Sequence, residues 1–128
     1  MVQSQTVLNV VDNSGAKVAK CLKIKGKLGR ATGNVGDVVV LSVKKLRRQY
    51  RRRVKSKMNK SEVHYGVLIQ TQKFLPDYGS TKLRFGQNAV TLISSKGKPL
   101  CSRIFTGIPR VTRLFKWCKL GSLARGYV

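Results

Sequence analysis

Acidic residues are almost missing from this 128-residue chain. Only Asp12, Asp37, Glu62 and Asp77 stand against 27 lysines and arginines, so the formal net charge is +23. A surface with this imbalance repels itself unless a polyanion neutralises it. The four acids are also scattered in sequence, and no Ser, Cys or Lys has a nucleophile motif around it. We therefore expect neither an enzyme nor a bound cofactor.

Residues that bind metals or form disulfides are equally scarce. The only histidine, His64, lies in a strand-like stretch, and no metal-ligand set can be built around it. Cys21, Cys101 and Cys118 are odd in number and widely spaced, which fits a reducing compartment and gives no disulfide framework. We predict no metal site and three buried, apolar cysteines.

Long apolar runs are absent as well. The longest spans only residues 38–41, which excludes a membrane-spanning segment. A cationic membrane-active protein would need an amphipathic helix long enough to insert, and none is evident. Met1 leads directly into strand-like sequence, so we expect a protein made where it works or one whose leader has been removed. Nucleic acid is the polyanion that fits best, because each neutralised phosphate releases counterions.

What the chain does contain is a series of short β-type stretches. Residues 6–11, 17–25, 37–43, 62–73, 83–85, 89–93 and 102–105 are predicted strands, separated by turn residues such as Asp12-Asn13-Ser14-Gly15. With 41% hydrophobic residues the chain can bury one core. Many short strands with glycine-rich punctuation predict a closed or nearly closed β-barrel, as a single domain over residues 1–128.

In the last quarter of the chain, the spacing of apolar residues changes from that of strands to that of a helix. Val111, Leu114, Phe115 and Cys118 fall at helical spacing, with basic residues largely on the other side. Pro109 suits a first helical turn, and Gly121-Ser122 should end the helix. We predict a helical segment at about residues 109–126.

The densest charge lies in residues 44–60, where ten of seventeen residues are basic and none is acidic. A charge run is usually a solvated face, but the lack of compensating acids favours contact with RNA. Residues 26–36 are rich in glycine without the Gly-Lys-Ser/Thr ending of a P-loop. They are either a loop that approaches an RNA backbone or a plain barrel corner.

The order of short motifs resembles one family, the universal large-subunit ribosomal protein L-fourteen of bacteria and organelles. The matching motifs are Gln3-Ser4-Gln5-Thr6, Leu8-Asn9-Val10, Asp12-Asn13-Ser14-Gly15-Ala16, Val35-Gly36-Asp37-Val38, Gly66-Val67-Leu68-Ile69, Arg84-Phe85, Asn88-Ala89, Arg103-Ile104-Phe105 and Ser122-Leu123-Ala124. They cover nearly the whole chain in order.

Three segments depart from the family pattern. Residues 47–59 are expanded, the hairpin around Tyr78 is longer than usual, and Val111-Thr112 replaces an acidic-apolar pair. These departures resemble the drift of mitochondrial ribosomal proteins, so we expect a mitochondrial ribosome, with the bacterial cytoplasm or a plastid as alternatives.

The resemblance implies a five-stranded β-barrel with a β-hairpin extension and small C-terminal helices. It also implies a structural role on large-subunit rRNA near the subunit interface, contributing to an intersubunit bridge. The implied partners are neighbouring large-subunit proteins, small-subunit rRNA and a ribosome-silencing factor that docks on residues 110–124. The rival interpretation is a free-standing barrel that binds single-stranded nucleic acid, for which Tyr50, Tyr65, Phe74, Tyr78 and Phe85 could supply stacking.

From the clustering of charge we predict two sets of binding residues. The RNA-binding set is Lys23, Lys25, Lys27, Arg30, Lys44, Lys45, Arg47, Arg48, Arg51, Arg52, Arg53, Lys55, Lys57, Lys82, Arg84, Lys96 and Lys98. The protein-partner set is Arg110, Arg113, Trp117 and Lys119.

Overall fold

The computed structural model describes residues 2–27, 31–48, 58–76, 82–114 and 116–128. Its strands are β1 (Val7–Val10), β2 (Ala16–Ile24), β3 (Val38–Leu46), β4 (Val63–Gln70), β5 (Leu75–Pro76), β6 (Lys82–Leu83) and β7 (Ala89–Ile93). They are followed by a 3-10 helix (Arg110–Arg113) and an α-helix, α1 (Cys118–Leu123).

Five of the strands close into a barrel in the order β1, β2, β3, β4, β7. Neighbouring strands are antiparallel except β1 and β7, which run parallel where the barrel closes. β5 and β6 form a separate two-stranded sheet. The predicted mainly-β fold with a closed five-stranded barrel and a hairpin is therefore confirmed.

The barrel interior follows from the two-residue period of its strands. In β1, Leu8 and Val10 are buried while Val7 and Asn9 are exposed. Leu41, Leu68 and other aliphatic side chains complete this inner core. Gly66 permits the close packing, because an added Cβ would lie 2.6 Å from Val90 Cγ2.

A second apolar layer covers the outside of β4 and β7. All five residues of β7 are buried, since Val90 and Leu92 face the interior while Ala89 and Ile93 face outward. The outward residues pack against the C-terminal segment. The side chains that this segment contributes are Cys101, Ile104, Ile108, Leu120, Trp117, Leu123 and Ala124. The C-terminal segment thus serves as the cover of one side of the barrel.

The turn after β1 ties these layers together. Asp12 is fully buried, and its carboxylate accepts hydrogen bonds from the Leu92 amide at 2.7 Å, the Thr91 hydroxyl at 3.2 Å and both the amide and hydroxyl of Ser14. Four donors compensate a carboxylate that has lost its water. The Asp12 side chain therefore joins the end of β1 to β7.

The predicted strands 83–85 and 102–105 are the ones that the structure reduces most. Residues 102–105 contribute only an isolated bridge between Asp12 and Ile104. The amides of Ser102 and Arg103 donate hydrogen bonds to the Asn13 side chain instead of to a neighbouring strand. The predicted strand 83–85 is represented only by β6, which ends at Leu83. In contrast, β3 runs three residues beyond its predicted end at 43, so it carries the start of the basic run.

The single helix that the spacing of Val111, Leu114 and Cys118 predicts does not form, whereas the small C-terminal helices that the family resemblance implies are present. The 3-10 helix and α1 are separate, and Leu114, predicted to face the core, is 68% exposed. Trp117 interrupts the helical path because its indole Nε1 donates to the Gly36 carbonyl on the barrel at 3.0 Å. Gly121 does not end α1 but lies buried within it, where Tyr127 occupies the space of a Cβ.

Replacing Asp12 with Asn is expected to lower the free energy of unfolding by about 1–3 kcal/mol. The amide keeps the shape of the carboxylate but offers one acceptor oxygen instead of two, which strands buried donors. Urea unfolding followed by the fluorescence of Trp117 measures the change, with Lys73→Gln, at an exposed position, as control. Equal losses in the two variants would contradict the role of Asp12.

Candidate nucleic-acid interface

Basic side chains converge where β3 leaves the barrel. Lys17, Lys44, Lys45, Arg48 and Lys60, together with Leu46, line an open concavity of about 520 Å³. We call this concavity the cationic groove. It brings together three residues of the predicted RNA-binding set, Lys44, Lys45 and Arg48, in one place.

Strand pairing explains the convergence. The register of β2 against β3 shifts between Ala16, opposite Leu46, and Val18, opposite Lys45. The shift leaves Lys17 as an additional, exposed residue, as expected for a β-bulge. Lys60 arrives from the other side, because the next residue, Ser61, donates its amide to the Val43 carbonyl at 2.8 Å.

The groove is strongly positive because none of the described residues that line it is acidic. Among the residues that the structure describes, a carboxylate pairs with a lysine or arginine only once, at Lys27 and Asp37. Five cations that share one concavity without counter-charge repel one another and favour a ligand with several anionic groups. A phosphodiester backbone has that chemistry.

The sequence analysis missed Lys17 altogether and included Lys60 in the basic run but not among the predicted binding residues. Lys17 is far from the basic run in sequence and joins it only through the pairing of β2 with β3. Lys60 ends the basic run, and its charge was a sufficient signal to include it. Knowledge of the strand register would have identified both.

Several predicted RNA-binding residues instead have partners within the chain. The Lys27 ammonium lies 2.6 Å from the Asp37 carboxylate and donates to the Thr32 carbonyl. Lys25 lies over the ring of Tyr65, at 5.7 Å from its centroid. These contacts give each side chain a structural role.

Arg47 has the most extensive internal contacts of the predicted set. Its guanidinium lies 4.8 Å from the centroid of the Phe105 ring, and Nη2 donates to the Val10 carbonyl at 3.2 Å. Its amide donates to the Gly15 carbonyl at 2.9 Å. Arg47 therefore fastens the exit of β3 to the turn after β1.

The remaining predicted residues lie elsewhere or outside the described part of the chain. Lys23, Lys82, Lys96 and Lys98 are exposed on β2, on β6 and in the turn after β7. Arg84 lies over the Phe74 ring at 5.4 Å. Six residues fall outside the described ranges: Arg30, Arg51, Arg52, Arg53, Lys55 and Lys57.

Aromatic side chains do not form a stacking platform in the described residues. Tyr65 and Phe74 are each covered by a cation, and Phe85 is half-buried. Tyr50 and Tyr78 lie outside the described ranges. This arrangement favours contact with phosphates over stacking on bases.

The glycine-rich stretch behaves as a barrel corner where it is described. Gly33 is buried and donates its amide to the Val2 carbonyl at 2.6 Å, and an added Cβ would lie 2.7 Å from Leu68 Cδ1. Gly36 has φ of +91°, which favours glycine. The corner interpretation therefore holds for these two glycines.

The predicted protein-partner residues have mixed settings. Arg110 and Lys119 are exposed, and the Arg113 guanidinium lies 5.0 Å from the centroid of the Tyr127 ring. Trp117 is half-buried against the outer layer and bonded to Gly36. These contacts give Trp117 a role in packing the C-terminal segment against the barrel.

Cysteine and histidine side chains form no reactive cluster in the described residues. Burial raises the pKa of the Cys21 and Cys101 thiols, as expected for apolar positions, but Cys118 is exposed and its predicted burial is wrong. His64 is half-buried, with Nε2 3.4 Å from Glu62. No three potential ligands meet to hold a metal in these residues. Neither described helix has the length and apolarity needed to cross a membrane.

A closed barrel that concentrates uncompensated cations at one strand exit defines a small basic structural protein. The model of the family described as Ribosomal protein L14p/L23e matches residues 1–128, the whole chain, and the chain belongs to that family. It is therefore a structural protein of the large ribosomal subunit and not an enzyme. Its location is the ribosome, and membership in the family implies rRNA and ribosomal proteins as partners.

Arg47→Lys is expected to destabilise the fold by ~1–2 kcal/mol, although it preserves the charge. Lysine cannot lie flat on Phe105 and reach the Val10 carbonyl at once. Urea unfolding measures the loss, and Arg48→Lys, at an exposed neighbour, is the matched control. A cycle with Phe105→Leu should show that the two losses are not additive. Wild-type stability of Arg47→Lys would refute the proposed contact.

Proposed function

We propose that this chain binds large-subunit rRNA through phosphates and sugars. Within the described residues, the cationic groove is the surface that contacts the RNA. The observation that carries the proposal is the convergence of Lys17, Lys44, Lys45, Arg48 and Lys60 without an acid among them. Phosphate contacts fix position and orientation without reading sequence. The mechanism is therefore the positioning of RNA and protein relative to each other.

Residues 49–57 extend this proposal along the chain. They continue directly from Arg48 and contribute five basic side chains, Arg51, Arg52, Arg53, Lys55 and Lys57. Their structure lies outside the described residues, so the support is their charge and their attachment to the groove at both ends. We propose that they lengthen the same RNA contact.

The family resemblance supports a more specific location. We propose that the protein lies near the subunit interface and contributes to an intersubunit bridge with small-subunit rRNA. The departures at 47–59, Tyr78 and 111–112 support a mitochondrial ribosome. Exposed Arg110 and Lys119 support a docking surface for a ribosome-silencing factor within residues 110–124.

The groove can be tested through the salt dependence of RNA binding. The triple variant Lys44→Gln, Lys45→Gln, Arg48→Gln should bind transcribed large-subunit rRNA more weakly. The slope of log Kobs against log salt should fall in magnitude by about 2–3, because each lost phosphate contact removes roughly 0.7–0.9. Filter binding over a range of KCl concentrations measures both quantities.

The matched control removes the same charge from exposed positions outside the groove. It combines Lys73→Gln, Arg103→Gln and Arg125→Gln. If the control reduces the slope as much as the groove variant, net charge and not the groove carries binding. A preference for unstructured oligonucleotides over folded rRNA would instead support the free-standing single-strand binder.

A further inference from the structure

Within the described residues, the outside of the barrel is covered on one side and left exposed on the other. The outward side chains of β4 and β7, including Val67, Ile69 and Ile93, are buried beneath the C-terminal segment. On β1, β2 and the start of β4, outward apolar side chains remain exposed. The fractions exposed are 61% for Val7 and 58% for Val63.

Strand register places these two valines in one row on the same outer side of the barrel. Val7 lies opposite Lys20, Lys20 opposite Ser42, and Ser42 opposite Val63. Three strand spacings of about 4.8 Å separate the valines by roughly 14 Å. A flat partner of modest size can therefore touch both.

A second row runs beside the first. Lys23 lies opposite Val40, and Val40 opposite Tyr65. Leu22 and Tyr65 are each 37% exposed, and Lys25 lies over the Tyr65 ring. We call the surface formed by Val7, Lys20, Leu22, Lys23, Val63 and Tyr65 the bare face; on β3 between them, Val40 is half-buried and Ser42 is buried.

The charge on the bare face has a single sign. Lys20 and Lys23 lie among its apolar side chains, and none of the residues that form it is acidic. The nearest acid in sequence, Glu62, accepts the Asn59 amide and lies beside His64, contacts that hold its pKa below the usual value. The carboxylates that would complement the lysines must come from another molecule.

The geometry also limits how that molecule can bind. The five barrel strands are closed and offer no free edge for an added strand, so recognition must occur through side chains. An RNA backbone would satisfy the lysines but would leave the methyl groups of Val7 and Val63 against hydrated phosphate and sugar. Apolar protein side chains gain from covering them at about 25 cal/mol per Å².

We propose that the bare face is the docking surface for a protein segment in which apolar side chains alternate with Asp or Glu. The inference rests on the role of the chain in the large subunit and adds a partner chemistry to it. The apolar residues of that segment cover Val7, Leu22 and Val63, and its carboxylates pair with Lys20 and Lys23. Buried apolar centres with a charged rim are the usual organisation of such interfaces.

Site-specific cross-linking in assembled subunits tests the proposal. Val7→Cys and Val63→Cys are made separately in a Cys118→Ser background, because Cys118 is the exposed native thiol among the three. Each is coupled to a benzophenone maleimide before assembly, irradiated in purified large subunits, and analysed by mass spectrometry of the linked peptide or nucleotide. Leu100→Cys, 44% exposed and outside the bare face, is the matched control.

We expect both bare-face positions to link to one protein, at a peptide with apolar and acidic residues, and Leu100→Cys not to reach that peptide. Uncoupled thiols at positions 7 and 63 should lose maleimide labelling on assembly. Cross-links to rRNA, or labelling as in the free chain, overturn the proposal. Failure of the wild-type chain to co-sediment with subunits would instead overturn the ribosomal role. If Val63→Cys blocks assembly and Val7→Cys does not, Leu22→Cys replaces Val63→Cys as the second cross-linking position on the bare face.

Discussion

The buried carboxylate of Asp12 is the contact on which the remaining architecture depends, because it joins the turn after β1 to β7 at the seam where the barrel closes. The adjacent Asn13 side chain holds the C-terminal segment through Ser102 and Arg103. Gly15 and Val10 accept hydrogen bonds from Arg47 at the exit of β3. One short turn therefore connects the barrel seam, its outer cover and the base of the basic segment.

This arrangement separates the basic side chains into two groups with different roles. Lys27 and Arg47 are engaged with Asp37, Phe105 and Val10, so their charges hold the fold together. The groove lysines and Arg48 have no acid among the described residues that line the groove with them, so their charges remain available to a polyanion. The three acids that the structure describes are thus placed for structure: Asp12 at the seam, Asp37 at the glycine-rich corner and Glu62 where the basic run returns to β4.

Local patterns predicted the barrel well because strand alternation and turn residues act over a few positions. Leu8 and Val10 face inward as their period requires, and β7 spans its predicted residues. The C-terminal helix failed because a helical period at Val111 and Leu114 cannot anticipate that Trp117 will bind the Gly36 carbonyl across the molecule. Lys17 was missed for the same reason: its neighbours are set by pairing with β3, not by sequence distance. Arg47 and Arg48 are adjacent and chemically identical, yet only the tertiary structure separates the packing residue from the groove residue.

The seam at Asp12 also governs when a newly made chain can fold. Asp12 and Leu92 are 80 residues apart, and β1 finds its second neighbour only in β7. During synthesis the cationic middle of the chain emerges before the strand that completes the barrel, and such long-range pairing is slow to form. The nascent protein must therefore pass through a stage in which its positive segment is exposed while its hydrophobic interior is still open. Cells that make this chain have reason to shield it at that stage, either with a chaperone or by rapid capture into the assembling particle.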